Sequence, residues 1–316
     1  MYLSFVIPLY NEAGNLKQLH QELMEVIKQL SQKYKKKPGD FEIIMVDDGS
    51  KDQSSEILKS LSSVRILTLR QNSGQTAALD AGFKAARGEL VVSLDADLQN
   101  DPSSIPDLIN KLYKNNLDVV CGWRQDRHDG SVKKFISLGA RYLRSFLISD
   151  QIHDSGCTLR VYKKSCFEGM TLRGEMHRFI PALLTWRGFK IGELPVKHRA
   201  RQWGKSKYNM KRTVKGFLDM LTLWFFHKYA SRPLHLMGGL GIVSFVIGFG
   251  IAVWMLVEKL VFAKGIGERM WPLVAIFLIL FGVQVFISGL IMDLIIRSYN
   301  PKLYEIKEES INTKKS

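Results

Sequence analysis

The hydrophobic pattern of the chain changes character once. Up to about Ala230, short β-branched runs alternate with stretches whose apolar residues recur at helical spacing; from Leu234 to Ile296 two long apolar runs take over. The opening run "LSFVIPL" is continuous enough to be a strand buried on both faces. Behind it, Leu16, Leu19, Leu23, Val26, Ile27 and Leu30 form a helical stripe. After the break "KKKPGD" come the strand "FEIIMV", a helix from about Gln53 to Leu61 and the strand "VRILTL". A small-residue helix from about Thr76 to Ala86, the strand "ELVVSL", a helix from about Ser104 to Lys114 and the strand "LDVVCG" follow. This alternation predicts an α/β domain with a doubly wound, mainly parallel sheet.

Ligands of such sheets bind beyond the carboxyl ends of the strands. Polar clusters stand there: Asn11-Glu12, Asp47-Asp48, Asp95-Ala96-Asp97 and Arg124. One cluster alone is explicable as turn chemistry; four at successive strand ends mark a candidate site. No GxGxxG follows the first strand and no GxxxxGK[ST] occurs, which argues against a dinucleotide-binding fingerprint and a P-loop.

The late apolar runs, Leu236 to Val257 and Trp271 to Met292, carry no charge, and each is about long enough to cross ~30 Å of hydrocarbon. The polar connector "EKLVFAKGIGERM" makes them a helical hairpin. Lys211, Arg212, Lys215, Lys228 and Arg232 precede the pair and Arg297, Lys302 and Lys307 follow it. In the connector, Lys259, Lys264 and Arg269 are offset by Glu258 and Glu268. That bias predicts a multi-pass protein of the plasma membrane with both termini and the large domain in the cytoplasm. Trp254 and Trp271 stand where interfacial aromatics are expected. Two amphipathic stretches, "SVKKFISLGARYLRSFLIS" and "KRTVKGFLDMLTLWFFHKYA", read either as membrane-surface helices or as ordinary core-facing ones. The expected organisation is a catalytic domain over 1–210, an interfacial helix or linker over 211–232, two spans over 233–297 (about 234–258 and 271–296), and a tail over 298–316.

Composition sharpens the partner. The 316 residues carry 45 Lys and Arg against 30 Asp and Glu, a net charge of +15, which calls for a polyanion. The apolar runs favour an anionic lipid bilayer, and no nucleic acid partner is expected. Three cysteines, none in a CxxC pair, fit a reducing compartment and give no disulfide framework. The N-terminus lacks a basic n-region, so its apolar run reads as a strand rather than a signal peptide.

The clusters suit phosphate chemistry. Asp95 and Asp97 on one strand-end loop offer hard oxygens to Mg²⁺ or Mn²⁺, which bridge few carboxylates and several phosphate oxygens. A diphosphate leaving group needs that neutralisation. Asp47 and Asp48 are placed to accept from a base N–H and a ribose hydroxyl, with an Asx turn at Gly49 as the alternative. Arg124, Arg201, Lys205 and Lys207 are phosphate-binding candidates.

The segments "VIPLYNE", "IMVDDGSKD", "RQNSGQTAALDAGFKAARGELVVSLDADLQNDP" and "VVCGWRQDR" resemble glycosyltransferase family 2, with its GT-A nucleotide-sugar fold. "DSGCTLRVYKK", "GEMHRFIPALLTWRGFKIGELPVKHRARQWGKSKYN" and the two-helix tail are similar to its polyprenyl-phosphate members, the bactoprenol glucosyltransferases and dolichol-phosphate mannose synthases. The resemblance implies a donor pocket lined by Pro8, Tyr10, Glu12 and Asp48, with Asp47 beside them. It implies metal and diphosphate binding by Asp95 and Asp97, with Gln99 adjacent, and phosphate binding by Arg124 and Arg201. Asp154 and Arg160 match positions near the reacting sugar, and His177 and Arg178 match the acceptor side, with Lys205 and Lys207 as further acceptor-phosphate candidates. The processive signature Q-x-x-R-W is absent, which favours transfer of a single sugar.

The implied reaction is inverting transfer from a nucleotide-sugar, UDP-glucose by the two-helix resemblance, to undecaprenyl phosphate. GDP-mannose, UDP-N-acetylglucosamine and a diacylglycerol acceptor stay open as alternatives, as does a non-catalytic scaffold of a glycolipid flippase. A phosphate monoester with a second pKa near ~6 is already nucleophilic at neutral pH, so Asp154 is either a general base or a group that orients an arginine or the sugar. Self-association into a homo-oligomer is also left open.

Overall fold

The computed structural model describes residues 1–124, 152–199, 220–222, 224–225, 228–229, 233–262 and 270–299. The stretch 131–149, and with it one of the two amphipathic candidates, lies outside the described residues, as do Arg201, Lys205 and Lys207. The chain separates into two compact units, Met1–Leu221 and Thr222–Ser316.

The first unit is built on a seven-stranded sheet. Its strands are β1 (Leu3–Leu9), β2 (Phe41–Asp47), β3 (Val64–Thr68), β4 (Leu90–Ser93), β5 (Val119–Trp123), β6 (Arg160–Lys163) and β7 (Ile191–Pro195), in the order β3-β2-β1-β4-β6-β5-β7. Helices α1 (Leu16–Tyr34), α2 (Ser54–Ser60), α3 (Gln75–Ala85), α4 (Ile105–Lys114) and α5 (Ile180–Trp186) connect or flank them. β1 is buried along its whole length because its residues alternate between two cores. Leu3, Phe5, Ile7 and Leu9 enter one with Phe41, Ile43 and Met45 of β2 and the apolar stripes of α1 and α4. Val6 enters the other with Ile44 and Val46 of β2 and Ala78, Leu79 and Phe83 of α3. A strand covered on both faces has no polar face to show, which is why its sequence is a run rather than an alternation.

β1 pairs in parallel with β2 on one side and β4 on the other, and β2 pairs in parallel with β3. The chain therefore winds away from β1 in two directions, and the β1/β4 junction is the switch point at which open α/β sheets bind ligands. The expected mainly parallel sheet is present, with one inversion. β6 runs antiparallel between β4 and β5, with Ser93 opposite Arg160 and Arg160 opposite Cys121. Its beginning, not its end, thus lies at the carboxyl end of β4.

The second unit contains two long helices, Pro233–Phe262 and Trp271–Tyr299, both long and apolar enough to cross a membrane. Only 22% and 17% of their most apolar windows are buried, too little for the core helices of a water-soluble protein. They meet along small residues. A Cβ at Gly241 would lie 2.6 Å from the Gly282 carbonyl oxygen, one at Gly282 would lie 2.6 Å from that of Gly241, and one at Gly248 would lie 2.8 Å from that of Ala275. Ser244 Oγ donates to the Leu278 carbonyl at 2.9 Å. Ala275, Gly282 and Gly289 recur at heptad spacing, so one face of the second helix admits the backbone of the first. Trp254 and Trp271 meet edge-on at 6.2 Å near the end of this contact.

Filling that contact is expected to separate the helices. Gly282→Leu should destabilise the pair by about 1–3 kcal/mol, read as a lower midpoint in thermal unfolding in detergent. Gly239→Leu, which faces open space, should leave the midpoint in place; equal effects of the two would refute the close packing.

Candidate active site

Four strand-end segments converge beyond β1, β2, β4 and β5. The first two are stitched together. Asn11, with φ +55°, receives the Lys51 N–H on its side-chain oxygen at 2.8 Å, and its own N–H donates to Ser50 Oγ at 3.0 Å. The Glu12 N–H donates to Ser54 Oγ at 3.0 Å, and the Glu12 carboxylate receives Asn15 Nδ2 at 2.6 Å. Pro8 is buried in β1, and Tyr10 is half-buried just past its end.

Asp47 and Asp48 serve the loops themselves. Asp47 is fully buried and accepts from the Ser50 N–H at 2.9 Å and from Ser55 Oγ at 2.6 Å. Asp48 accepts the Ser73 and Gly74 N–H groups at 2.6 and 2.9 Å. Asp47 thus closes the turn through Ser50, and Asp48 fixes the entry to α3. Both carboxylates shape the pocket wall through the backbone they hold.

Asp95 and Asp97 stand at the β1/β4 switch point. Gln75 Nε2 donates to Asp95 at 2.7 Å, and the Gln99 N–H donates to Asp97 at 3.2 Å. Burial, and next the charge of Asp97, push the Asp95 carboxyl up to about 6; a hydrogen bond from Thr158 and the charges of Arg124 and Arg160 oppose the rise. Among the described residues no three His, Cys, Asp or Glu side chains gather to hold a metal ion. The two aspartates instead form a half-shell, crowded with negative charge, that fits a divalent cation whose other ligands are water and phosphate oxygens.

Arg124 and Asp154 form the second feature of the site. Arg124 Nε and Nη2 meet the two Asp154 oxygens at 2.6 and 2.9 Å, and the side chains are 12% and 5% exposed. Burial opposes the charge of Arg124, but the Asp154 hydrogen bonds and charge outweigh it and raise the guanidinium pKa. The Asp154 carboxylate also receives the N–H groups of Arg124 and Gly156 at 3.3 and 3.2 Å. Four donors occupy about the number of lone-pair positions a carboxylate has. In this arrangement the Asp154 carboxylate holds Arg124 in place.

Of the acceptor-side candidates among the described residues, Arg160 and His177 are turned inward and Arg178 is half-buried. Arg160 is buried and donates to the Ser155 and His177 carbonyls at 2.6 and 3.2 Å. His177 is buried with Nδ1 2.7 Å from Thr76 Oγ1. Arg178 pairs with Glu175 at 3.6 Å. The structure also brings in residues that sequence reasoning missed. Arg199 pairs with Glu22 of α1 at 2.8 Å and with Asp101 at 3.0 Å, while its N–H donates to the Gln99 carbonyl at 2.8 Å. It ties the loop after Asp97 to α1 across 177 positions, a separation that no local pattern signals. Gln75 and Thr158, whose oxygen accepts from Asn100 Nδ2 at 2.9 Å, complete the surroundings of Asp95.

Residues 4–170 match the family described as Glycosyl transferase family 2. The chain is a family 2 glycosyltransferase. Its relatives place this glycosyltransferase in the polyprenyl-phosphate subgroup. It is 36% identical to dodecaprenyl-phosphate galacturonate synthase of Rhizobium johnstonii over 94% of this chain and 88% of that one. It is 35% identical to undecaprenyl-phosphate 4-deoxy-4-formamido-L-arabinose transferase of Photorhabdus laumondii over 94% of this chain and 90% of that one. In fold, the glycosyltransferase is similar to glucosyl-3-phosphoglycerate synthase of Mycobacterium tuberculosis, solved with Mn²⁺ and UDP-glucose. That similarity has a TM-score of 0.54 at 17% identity and covers 72% of this chain and 78% of that one. It bears out the GT-A-type sheet expected from the sequence.

The raised Asp95 pKa has a thermodynamic signature. Its ordinary value is 3.8, so between about pH 4 and 6 the folded metal-free protein holds a proton that the unfolded chain has released. Stability conferred by the protonated group is present below about pH 4 and is lost as pH rises through about 6. Asp95→Asn should therefore raise the unfolding midpoint more at pH 7 than at pH 5, measured by differential scanning calorimetry in EDTA. An equal shift at both pH values would contradict the assignment.

Proposed function

We propose that this glycosyltransferase moves a single sugar, with inversion, from a nucleotide-sugar to a polyprenyl phosphate at the cytoplasmic face of a membrane crossed by its two apolar helices. The observation that carries the reading is the juxtaposition of an acidic half-shell, Asp95 and Asp97, with the bidentate pair Arg124–Asp154 at one sheet end. The names of the relatives and the apolar helix pair support it.

Asp95 and Asp97 would hold Mg²⁺ or Mn²⁺, which supplies positive charge to the donor diphosphate as it leaves. Pro8, Tyr10, Glu12 and the loops shaped by Asp47 and Asp48 line the nucleotide side, and Gln99 flanks the diphosphate. Arg124, held flat by Asp154, meets an anionic group of donor or acceptor. A largely dianionic phosphate monoester needs no base to attack the anomeric carbon. The protein then has to bring two anions together and keep them aligned. An Asp154 committed to Arg124 fits such an acceptor better than it fits a hydroxyl acceptor such as diacylglycerol, which would demand a general base. A flippase scaffold leaves the acidic pair without a purpose.

The sugar is set by donor contacts. UDP-glucose follows from the two-helix resemblance; the relatives' names add galacturonate and 4-deoxy-4-formamido-L-arabinose to the panel. Purified protein in detergent, with Mg²⁺, undecaprenyl phosphate and each labelled nucleotide-sugar in turn, should pass label into the organic phase from one donor. Asp97→Ala should lower that transfer at least about a hundredfold. Asp154→Asn should reduce it without abolishing it, because Arg124 is loosened rather than removed. An inert wild type with every donor, diacylglycerol included as acceptor, would overturn the proposal.

A further inference from the structure

Glu193 of β7 takes no part in the reaction proposed above, yet its carboxylate begins a chain of contacts that ends at Arg124. Its Oε1 receives the backbone N–H of His153 at 2.8 Å and that of Asp154 at 3.3 Å. Its Oε2 lies 2.7 Å from His153 Nδ1. Facing a carboxylate, that nitrogen carries its hydrogen in the neutral and the charged ring alike, so the contact asks for no charge on His153. The Glu193 side chain is 13% exposed, and the N–H groups it meets would be costly to leave unpaired there.

The turn that Glu193 grips is irregular backbone, so its N–H groups need partners from outside a strand or helix ladder. It meets the end of β5 at two consecutive positions. The His153 ring stacks on Trp123, with centroids 4.5 Å apart and planes 20° from parallel. Asp154 then takes Arg124 on both oxygens. β7 supplies another side, because it pairs in parallel with β5 and sets Glu193 opposite Cys121. Lys111 of α4 donates to the Glu193 carbonyl. Just past Asp154, Arg160 Nη2 donates to the Ser155 carbonyl at 2.6 Å. Asp154 is thus fastened before by Glu193 and after by Arg160. A guanidinium held by two parallel bonds has its plane set by the carboxylate, and the place of that carboxylate is set by the backbone at 153 and 154.

Resting on the reading above, in which Arg124 meets an anionic group of donor or acceptor, we infer that Glu193 is a positioning residue for that contact. It fixes the turn from which Asp154 reaches Arg124 and acts on the reaction through that pair alone. A purely local role, bracing the β7 edge of the sheet, would tie Glu193 to stability but not to Arg124. The two roles differ in how Glu193 and Asp154 combine. Residues that act through one another give non-additive effects, whereas independent ones add.

The test reads Arg124 both without and with substrate. In the full chain in detergent, labelled with isotopic arginine, the Arg124 Nε–H nuclear magnetic resonance signal is identified by its absence in Arg124→Lys. Its exchange with water should be about tenfold faster in Glu193→Ala than in the wild type. Glu193→Gln should stay close to the wild type, because its amide oxygen still receives both N–H groups. Sugar transfer should fall about tenfold in Glu193→Ala and largely return in Glu193→Gln. Once Asp154 is replaced by Asn, Glu193→Ala should cost less than about twofold more. Should Glu193→Ala fail to fold, Glu193→Asp, one methylene too short to reach the turn, is read in its place with the same outcomes. An unchanged Arg124 signal would overturn the inference, and so would an equal loss of transfer with Asp154 and with Asn at that position, the mark of a separate structural role. A wild type that transfers no sugar would refute the proposed reaction, and the Arg124 signal would still decide the role of Glu193.

Discussion

The structure depends on one constraint: β1 must pair in parallel with both β2 and β4 while being buried on both faces. A strand in that position can carry no polar side chain that faces water, so all its chemistry is pushed to its end. The same applies to β4, and the two ends lie side by side. Tyr10, Glu12, Asp95 and Asp97 are neighbours for that reason, although about 85 residues of chain separate the two pairs. The apolar cores on the two faces, with α1 and α4 on one and α3 and α5 on the other, make the pairing energetically compulsory.

The site divides its charge into two kinds of arrangement. Asp95 and Asp97 bring two carboxylates together, and burial first and the charge of Asp97 second raise the Asp95 pKa. Arg124 and Asp154 are instead matched, oxygen to nitrogen, with nothing left over on the carboxylate. The acidic pair suits a cation, whereas the ion pair serves as rigid support. Buried charge is costly either way, which is why neighbouring uncharged groups, Gln75 and Thr158 at one end and the Gly156 N–H at the other, are also engaged.

Much of this was legible along the chain. The runs from "LSFVIPL" to "LDVVCG" correspond to β1 through β5, and the polar clusters at their ends do converge, because strand burial and strand-end chemistry are local properties. β6 was not legible. Its four residues include a buried arginine, and it gains its place from pairing with β4 and β5 rather than from its own pattern. Since it runs the other way, the turn holding His153 and Asp154 precedes a strand, where a search of strand ends does not look. Asp47 and Asp48 show the converse difficulty. Their residue types fit nucleotide contacts and turn-making equally well, and the bonds to Ser50, Ser55, Ser73 and Gly74 that they make depend on chain positions no local pattern shows. The glycines of the apolar helices were visible but silent, because spacing reveals a packing face only once a partner helix is opposite.

The helix pair has a mechanical consequence. Two helices that touch backbone to backbone at Gly241 and Gly282, with Ser244 bridging nearby, cannot slide or scissor without breaking that contact. In a bilayer they would behave as a single slender rod. A change in membrane thickness would then be met by tilting the rod as a whole, and the lipids around it would meet one perimeter smaller than that of two separate helices.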